Sequence, residues 1–336
     1  MKGRSLVLMV FLASLGGAGA SAAPDTTVPT FSAAIYSIRD DGTGRRLVAQ
    51  PDPPVPNLIR SPDGRSILYT KRSEKPDGDW ALFLAENSGA NPVQLSPVGT
   101  SATIDLPPPA FSPDGQRIAF NTVVGCGFRC GRYTLHLVDR DGTNLRVVGE
   151  GAQPSWSSDG RRFAYTSRGG IHLYDTESNV STQIAPGYRP VWAPRGQRIA
   201  FNRTLKGYGV ACLVNADGSR MRCAQGHSRS ALVWSRDGKR VAFRQATPSR
   251  LGIMDSDARL VRYLGNRGRQ AHPAAWSPDG KRLAYWYNAL FGRVHLLRVD
   301  RPRGGVRVIT EPSSFLSDLR WQGRTLTYVV SRPEAP

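Results

Sequence analysis

Short apolar runs alternate with turn-forming residues along this chain, and one segment of this kind recurs. Its clearest copies are AFSPDGQRIAFN at residues 110–121, VWSRDGKRVAFR at residues 233–244 and AWSPDGKRLAYW at residues 275–286. In each copy an aromatic residue ends one apolar run, a turn follows, and a second apolar run begins. Proline fixes φ at about −65° and glycine accepts positive φ, so SPDG predicts a hairpin turn between two strands.

The strand after the turn is apolar on both faces. In RLAYW, Leu283 and Tyr285 lie on one face and Ala284 on the other, which is typical of a sheet packed between two neighbours. Further copies begin at residues 59, 155 and 191, and a shortened copy, LRWQGRTLTYVV, occupies residues 319–330. Recurrence at about forty residues indicates a repeat architecture.

Each period carries a second hairpin. Examples are LHLVDRDGTNLRVV at residues 135–148, IHLYDTESNVSTQI at 171–184 and VACLVNADGSRMRC at 210–223. Polar residues stand at each tip, as hairpin turns require, and they lack the frame of a calcium loop. Four short strands per period, with no helical pattern between them, predict an all-β fold, a β-propeller of four-stranded blades.

The two ends of the chain complement each other. A single hairpin, AAIYSIRDDGTGRRLVAQ at residues 33–50, precedes the first SPDG copy, and two predicted strands follow the last SPDG-like copy. Pairing of these ends would complete a composite blade and remove an exposed sheet edge. The prediction is seven blades, with six as the fallback if the N-terminal hairpin packs elsewhere.

The N-terminus has the pattern of an export signal. Lys2 and Arg4 precede an apolar run, and the small residues of AGASAAP follow. We therefore predict a cleaved signal peptide at residues 1–22, a linker at 23–30, one propeller domain at 31–331 and a tail at 332–336. The expected product is a soluble monomer, either periplasmic, in the cell envelope, or secreted, with no transmembrane segment.

The four cysteines suit an oxidising compartment. Cys212 and Cys223 flank a predicted hairpin turn, so they would face each other across adjacent strands. Cys126 and Cys130 lie in the glycine-containing segment GCGFRCG, which could close a small ring. Two disulfides are favoured over the alternative, a four-cysteine metal site.

The formal net charge of the full chain is +19, a field that attracts anionic polymers. Many of the arginines belong to the repeat, as in GQR and GRR, so they are spread around the molecule. A solvated basic surface is therefore favoured, and no specific nucleic-acid partner is predicted.

With these motifs in view, the chain resembles the TolB-like propeller family, whose unit is similar to WSPDGKRIAF followed by a YVMDADGSN-type hairpin. The resemblance covers roughly residues 31 to 330 and implies a propeller with a binding role. Related propellers also occur in prolyl-oligopeptidase-like enzymes, but the G-x-S-x-G nucleophile elbow of their hydrolase domain does not occur in this sequence.

Candidate binding residues lie at the start of the predicted innermost strands, where side chains face the channel mouth. His272 stands four residues before Trp276, and Tyr188 holds the matching position. The position that follows the matching one is occupied in three other repeats by Gln153, Arg189 and Asp318. By contrast, the matching histidines of the third strands are expected to be half-exposed strand residues too far apart to share a metal: His136, His172 and His295.

These observations favour an exported, non-catalytic scaffold that binds an envelope or extracellular protein, or an anionic glycan, at the channel mouth or at a loop-rich face. No catalytic residue, metal ligand or cofactor is predicted. The alternative is a metal-assisted lyase or hydrolase acting on an acidic polysaccharide. That reading follows from the resemblance, since some TolB-like propellers are oligouronide lyases with channel histidines and a divalent metal. His272, and with it His227, would be the residues to supply such a site.

Overall fold

Strands supply all the regular secondary structure of the described residues, and residues 30–335 form one compact unit. The computed structural model describes residues 31–55, 57–72, 80–97, 100–102, 108–124, 132–224, 228, 232–246, 250–264, 271–287, 294–299, 307–308 and 315–333. The predicted signal peptide, Cys126, Cys130 and His227 lie outside these ranges. No described segment forms a helix long and apolar enough to cross a membrane.

Six sheets are each built from strands that follow one another in the chain. The first sheet contains β3 (Leu58–Arg60), β4 (Ser66–Arg72), β5 (Trp80–Glu86) and β6 (Val93–Gln94). The second contains β7 (Ser101–Ala102), β8 (Ala110–Phe111), β9 (Arg117–Val124), β10 (Arg132–Asp139) and β11 (Arg146–Glu150). The third contains β12 (Ala152–Trp156), β13 (Arg162–Ser167), β14 (Gly170–Asp175) and β15 (Ser181–Pro186).

The remaining three follow the same plan. The fourth sheet contains β16 (Tyr188–Trp192), β17 (Arg198–Leu205), β18 (Tyr208–Asn215) and β19 (Arg222–Cys223). The fifth contains β20 (Val233–Trp234), β21 (Arg240–Gln245), β22 (Arg250–Asp255) and β23 (Leu260–Leu264). The sixth contains β24 (Ala271–Trp276), β25 (Arg282–Tyr287), β26 (Val294–Arg298) and β27 (Arg307–Val308).

A composite sheet joins the two ends of the chain, and its predicted pairing is confirmed. It contains β1 (Phe31–Arg39), β2 (Arg46–Ala49), β28 (Phe315–Gln322) and β29 (Thr325–Pro333), in the order β2-β1-β29-β28. Strand β1 pairs with β29 along its whole length, from Phe31 opposite Pro333 to Arg39 opposite Thr325. The described chain therefore has six whole blades, which is the fallback number and not the preferred seven, together with this composite sheet.

The first strands of neighbouring sheets contact one another, as in β12 with β16, β20 with β24, and β28 with β3. The fold is therefore an all-β propeller whose first strands surround a central channel. The blades are four-stranded as predicted, except that the second sheet has two short strands, β7 and β8, that both pair with β9.

The core lies between the sheets. One cluster joins Ile171 of the third sheet to Trp192 and Phe201 of the fourth, and equivalent clusters lie between other neighbours. Strand β17 is buried on both faces, with Ile199, Ala200 and Phe201 all at 0% exposure, as the two-faced apolar pattern predicts. Each blade therefore depends on its neighbours for burial.

The SPDG turns are held by a repeated serine–aspartate clamp. In the sixth sheet the Ser277 hydroxyl donates to Asp279 Oδ1 at 2.5 Å, and the same hydroxyl oxygen accepts from the Arg282 amide at 2.8 Å. Equivalent serine–aspartate pairs hold four other turns: Ser61–Asp63, Ser112–Asp114, Ser157–Asp159 and Ser235–Asp237. The fourth sheet has Ala193 and Arg195 at these places and lacks the clamp.

One predicted disulfide is confirmed. Cys212 on β18 lies opposite Cys223 on β19, and their sulfur atoms are bonded. The histidine prediction is wrong for His136, which is only 4% exposed. Its Nε2 lies 2.8 Å from Thr122 Oγ1 and its ring stacks on Phe120 at 5.1 Å, so neighbouring side chains cover it.

Candidate functional site

Three of the predicted site residues have a left-handed backbone. The φ angles are 63° at Gln153, 54° at Arg189 and 42° at Asp318. Each stands at the same place, three residues before the end-of-strand tryptophan, where the pairing of the first strand with the second is interrupted. Positive φ is unfavourable for residues with a side chain and persists only where the surroundings impose it. The surrounding structure therefore imposes this backbone conformation at the start of these strands.

Gln153 and Arg189 are brought together by hydrogen bonds between the third and fourth sheets. Gln153 Oε1 accepts from the Thr166 hydroxyl at 2.9 Å and from the Arg189 amide at 3.1 Å. The Arg189 amide also lies 2.9 Å from Thr166 Oγ1. These bonds fix the backbone of Arg189, and no carboxylate among the described residues pairs with its guanidinium. Tyr188, the preceding residue, is half-buried.

Asp318 lies in a separate group, where the composite sheet meets the first sheet. Its Oδ2 accepts from Arg60 Nε at 2.8 Å, and its Oδ1 accepts from Arg320 Nε at 2.9 Å. Exposure of the side chains is only 7% for Arg60 and 13% for Asp318. Burial lowers the pKa of Arg60, and the charge of Asp318 opposes that effect. The carboxylate thus joins two guanidinium groups across the junction.

His272 forms a third group with Arg244 of the fifth sheet. Arg244 Nη1 lies 3.2 Å from His272 Nε2. Because a guanidinium only donates, Nε2 is the acceptor and the ring proton is on Nδ1. Burial, and then the charge of Arg244, lowers the pKa of His272 below its ordinary value of 6.5. His272 is therefore held as neutral imidazole.

The described contacts thus join Gln153 to Arg189 but leave His272 and Asp318 with partners of their own. Sequence reasoning missed three of the participants, Arg60, Arg244 and Arg320. Arg60 did carry a signal, because it stands where most copies have the aromatic residue. These three groups contain four arginines and one carboxylate, and only Arg60 and Arg320 contact Asp318. The starts of the first strands, where Gln153, Arg189 and His272 lie, form the predicted channel mouth.

No metal site is visible among the described residues, which contain no group of three or more His, Cys, Asp or Glu side chains able to hold an ion. Two clefts lie elsewhere, between the outer parts of adjacent sheets. One has a volume of about 550 Å³ and is lined by Glu86, Asp139 and Arg140. The other, of about 490 Å³, is lined by Asp175, Val180 and Asp217. Neither includes a predicted site residue.

Solved propellers resemble the fold. A protein assigned as TolB from Agrobacterium tumefaciens shares 19% identity over 91% of this chain and 100% of that one, with a TM-score of 0.53. Dipeptidyl peptidase 4 from Porphyromonas gingivalis shares 13% identity over 81% of this chain and 48% of that one, with a TM-score of 0.54. TolB from Acinetobacter baumannii shares 19% identity over 68% and 62%, with a TM-score of 0.46.

At these identities the likeness shows the fold alone: a propeller similar to those of TolB proteins and of a peptidase. No protein-family model matches the sequence, and no curated protein matches it significantly.

Proposed function

We propose that this chain is an exported binding scaffold of the TolB-like kind, in which the composite sheet serves as the seventh blade and the channel mouth receives a partner protein. The observation that carries the proposal is the backbone conformation and hydrogen bonding of the residues at the channel mouth. Strained residues at equivalent positions are fixed by hydrogen bonds between blades, and Arg189 presents a guanidinium that no described carboxylate neutralises. Strain of this kind is concentrated at binding sites. Cys212–Cys223 supports export, because disulfides persist in oxidising compartments.

The metal-assisted lyase finds less support. His272 is the residue that the alternative needs, but its Nε2 accepts from Arg244. A cation at this nitrogen would have to displace a guanidinium and then lie beside its positive charge. The residues of the described mouth therefore do not fit a divalent metal, and we propose a non-catalytic role.

The proposal is tested by capture from envelope and culture extracts with residues 23–336, in parallel with Arg189→Gln and Tyr188→Ala. The matched control is Arg161→Gln, an exposed arginine next to the SPDG-type turn of the third sheet. A defined protein that is retained at about 0.3 M salt, where exposed charges are largely screened, and lost only from the mouth variants would support the role. Retention by all variants alike would exclude the mouth as the contact surface.

A further inference from the structure

Arg236 is the single arginine at the second position of the SPDG-type turns. The other copies hold Pro62, Pro113, Ser158, Pro194 and Pro278. Two of the prolines pack against the following turn: a Cβ at Gly115 would lie 3.5 Å from Pro62 Cδ, and one at Gly160 would lie 3.6 Å from Pro113 Cδ. These turns lie at the ends of the first strands, opposite the channel mouth, on what is here named the turn side.

Arg236 makes a contact of a different kind. Its Nη2 donates to the carbonyl oxygen of Trp321, on β28 of the composite sheet. The sixth sheet stands between the two residues, yet no described atom lies within 4 Å of a Cβ placed at Gly280 in the turn of that sheet. The Arg236 side chain thus reaches past its immediate neighbour to the next sheet.

The path of this side chain follows from the ring geometry. The first strands contact one another in order around the axis, with β20 next to β24 and β24 next to β28. A straight line between two members that are not adjacent passes inside the ring. The end of β20 and the end of β28 are such members, so a direct path from Arg236 to the Trp321 carbonyl oxygen passes over the turn-side end of the space that the first strands enclose.

We propose that Arg236 is a cationic strap across this end, which makes the channel a pocket open at the mouth, with a floor that favours anionic groups. A guanidinium has five N–H donors, and the Trp321 carbonyl takes one. No described carboxylate pairs with Arg236. Arg320, the residue before Trp321, is by contrast already paired with Asp318 at 2.9 Å, so the charge of the floor comes from Arg236.

The inference deepens the proposed function and rests on it for its biological meaning: the part of the partner that enters the pocket would carry a carboxylate or another anionic group. The floor itself can be tested without a partner. Ala275 is half-buried on β24, between the two sheets that the strap joins. A cysteine placed there reports the local potential through its reaction rates with reagents of opposite charge.

Ala275→Cys is treated with an anionic sulfonatoethyl and a cationic trimethylammonioethyl methanethiosulfonate, and the parent chain is measured in parallel to correct for its own cysteines. Removing the strap charge with Arg236→Gln should lower the anionic-to-cationic rate ratio by about threefold to tenfold, as expected for one charge at short range. Arg195→Gln, an exposed arginine in the turn of the fourth sheet, is the control and should leave the ratio unchanged.

An unchanged ratio in Arg236→Gln, or an equal fall in Arg195→Gln, would overturn the strap. Val233→Cys, on β20, is a second reporter if the first variant does not fold. These outcomes are independent of partner capture. If the rate ratio does not change in Arg236→Gln but Arg189→Gln still loses the partner, the strap is excluded and the binding role of the mouth stands. If the ratio falls as expected but no partner is captured, the cationic pocket stands and the proposed binding role is excluded.

Discussion

The guanidinium of Arg282 lies 4.9 Å from the ring centroid of Trp321, and its Nη2 lies 2.6 Å from Asp40 Oδ2. Arg282 belongs to the sixth sheet, and both partners belong to the composite sheet. The same contact recurs between other blades, as in Arg117 over Trp156 at 5.2 Å. Part of the basic charge of the chain is therefore structural, since at three junctions a repeat arginine contacts the tryptophan of the next blade.

Replacing Arg282 with methionine should lower the free energy of unfolding by about 2 kcal/mol. The variant loses a cation–π contact and leaves Asp40, which is 5% exposed, with one fewer partner. Lys281→Met, at the exposed neighbouring residue, should change stability by less than about 0.5 kcal/mol. Urea unfolding of the three proteins checks this, and equal effects of the two variants would show that the contact is not stabilising.

The fourth sheet offers a stabilising change. Ala193→Ser together with Arg195→Asp would restore the clamp of the other turns, and Ala193 is as buried as the serines it would match. Two added hydrogen bonds should contribute about 1 kcal/mol and raise Tm by about 2–4 °C. Calorimetry measures the gain. An unchanged or lower Tm would mean that the native turn at residues 193–196 is already as stable without the clamp.

The gain should disappear in acid. In the equivalent turn of the first sheet, the hydroxyl of Ser61 lowers the pKa of Asp63 below its ordinary value of 3.8. A carboxylate with a lowered folded-state pKa stabilises the protein above its unfolded pKa, and that stabilisation is lost as the pH falls through the folded value. The Tm difference between the repaired and parent chains should therefore shrink below about pH 4. A difference that persists at pH 2 would exclude the carboxylate as its source.

Asp318 holds the junction between the composite sheet and the first sheet. Asp318→Asn leaves Arg60 and Arg320 without their carboxylate and should destabilise the fold by about 3 kcal/mol. Asparagine tolerates positive φ, so the backbone is not the cause. Asp257→Asn is the control, because Asp257 is 55% exposed in its pair with Arg198 and such pairs contribute little. Similar midpoints for the two variants in urea would refute the special role of the junction.

His272 should make stability depend on pH. Because the folded-state pKa lies below 6.5, the unfolded chain binds the proton more strongly, and stability is lost as the pH falls below that value. In His272→Gln an amide oxygen can still accept from Arg244 but does not titrate. The difference between the two proteins in unfolding free energy, measured from pH 7 to pH 5, isolates the histidine. Identical pH profiles would contradict the assignment.

The fold could be predicted because its turns are local. SPDG fixes a hairpin by its own residues, and in-register copies also locate the starts of the inner strands. What could not be predicted depends on neighbours from other repeats. His136 and the half-buried His172 occupy the same position of the repeat, yet Thr122 and Phe120 cover His136. The left-handed backbone at Arg189, and the reach of Arg236 to Trp321, likewise depend on sheets distant in sequence.

The pairing of Phe31 with Pro333 has a consequence for how the molecule forms. Contacts within each whole blade are close in sequence and can form early, but the composite sheet needs strands from opposite ends of the described chain. Closing so long a loop is slow because chain entropy opposes it until the last contacts form. During synthesis the early blades therefore form an open arc, and one edge of strand β1 stays unpaired until β29 emerges.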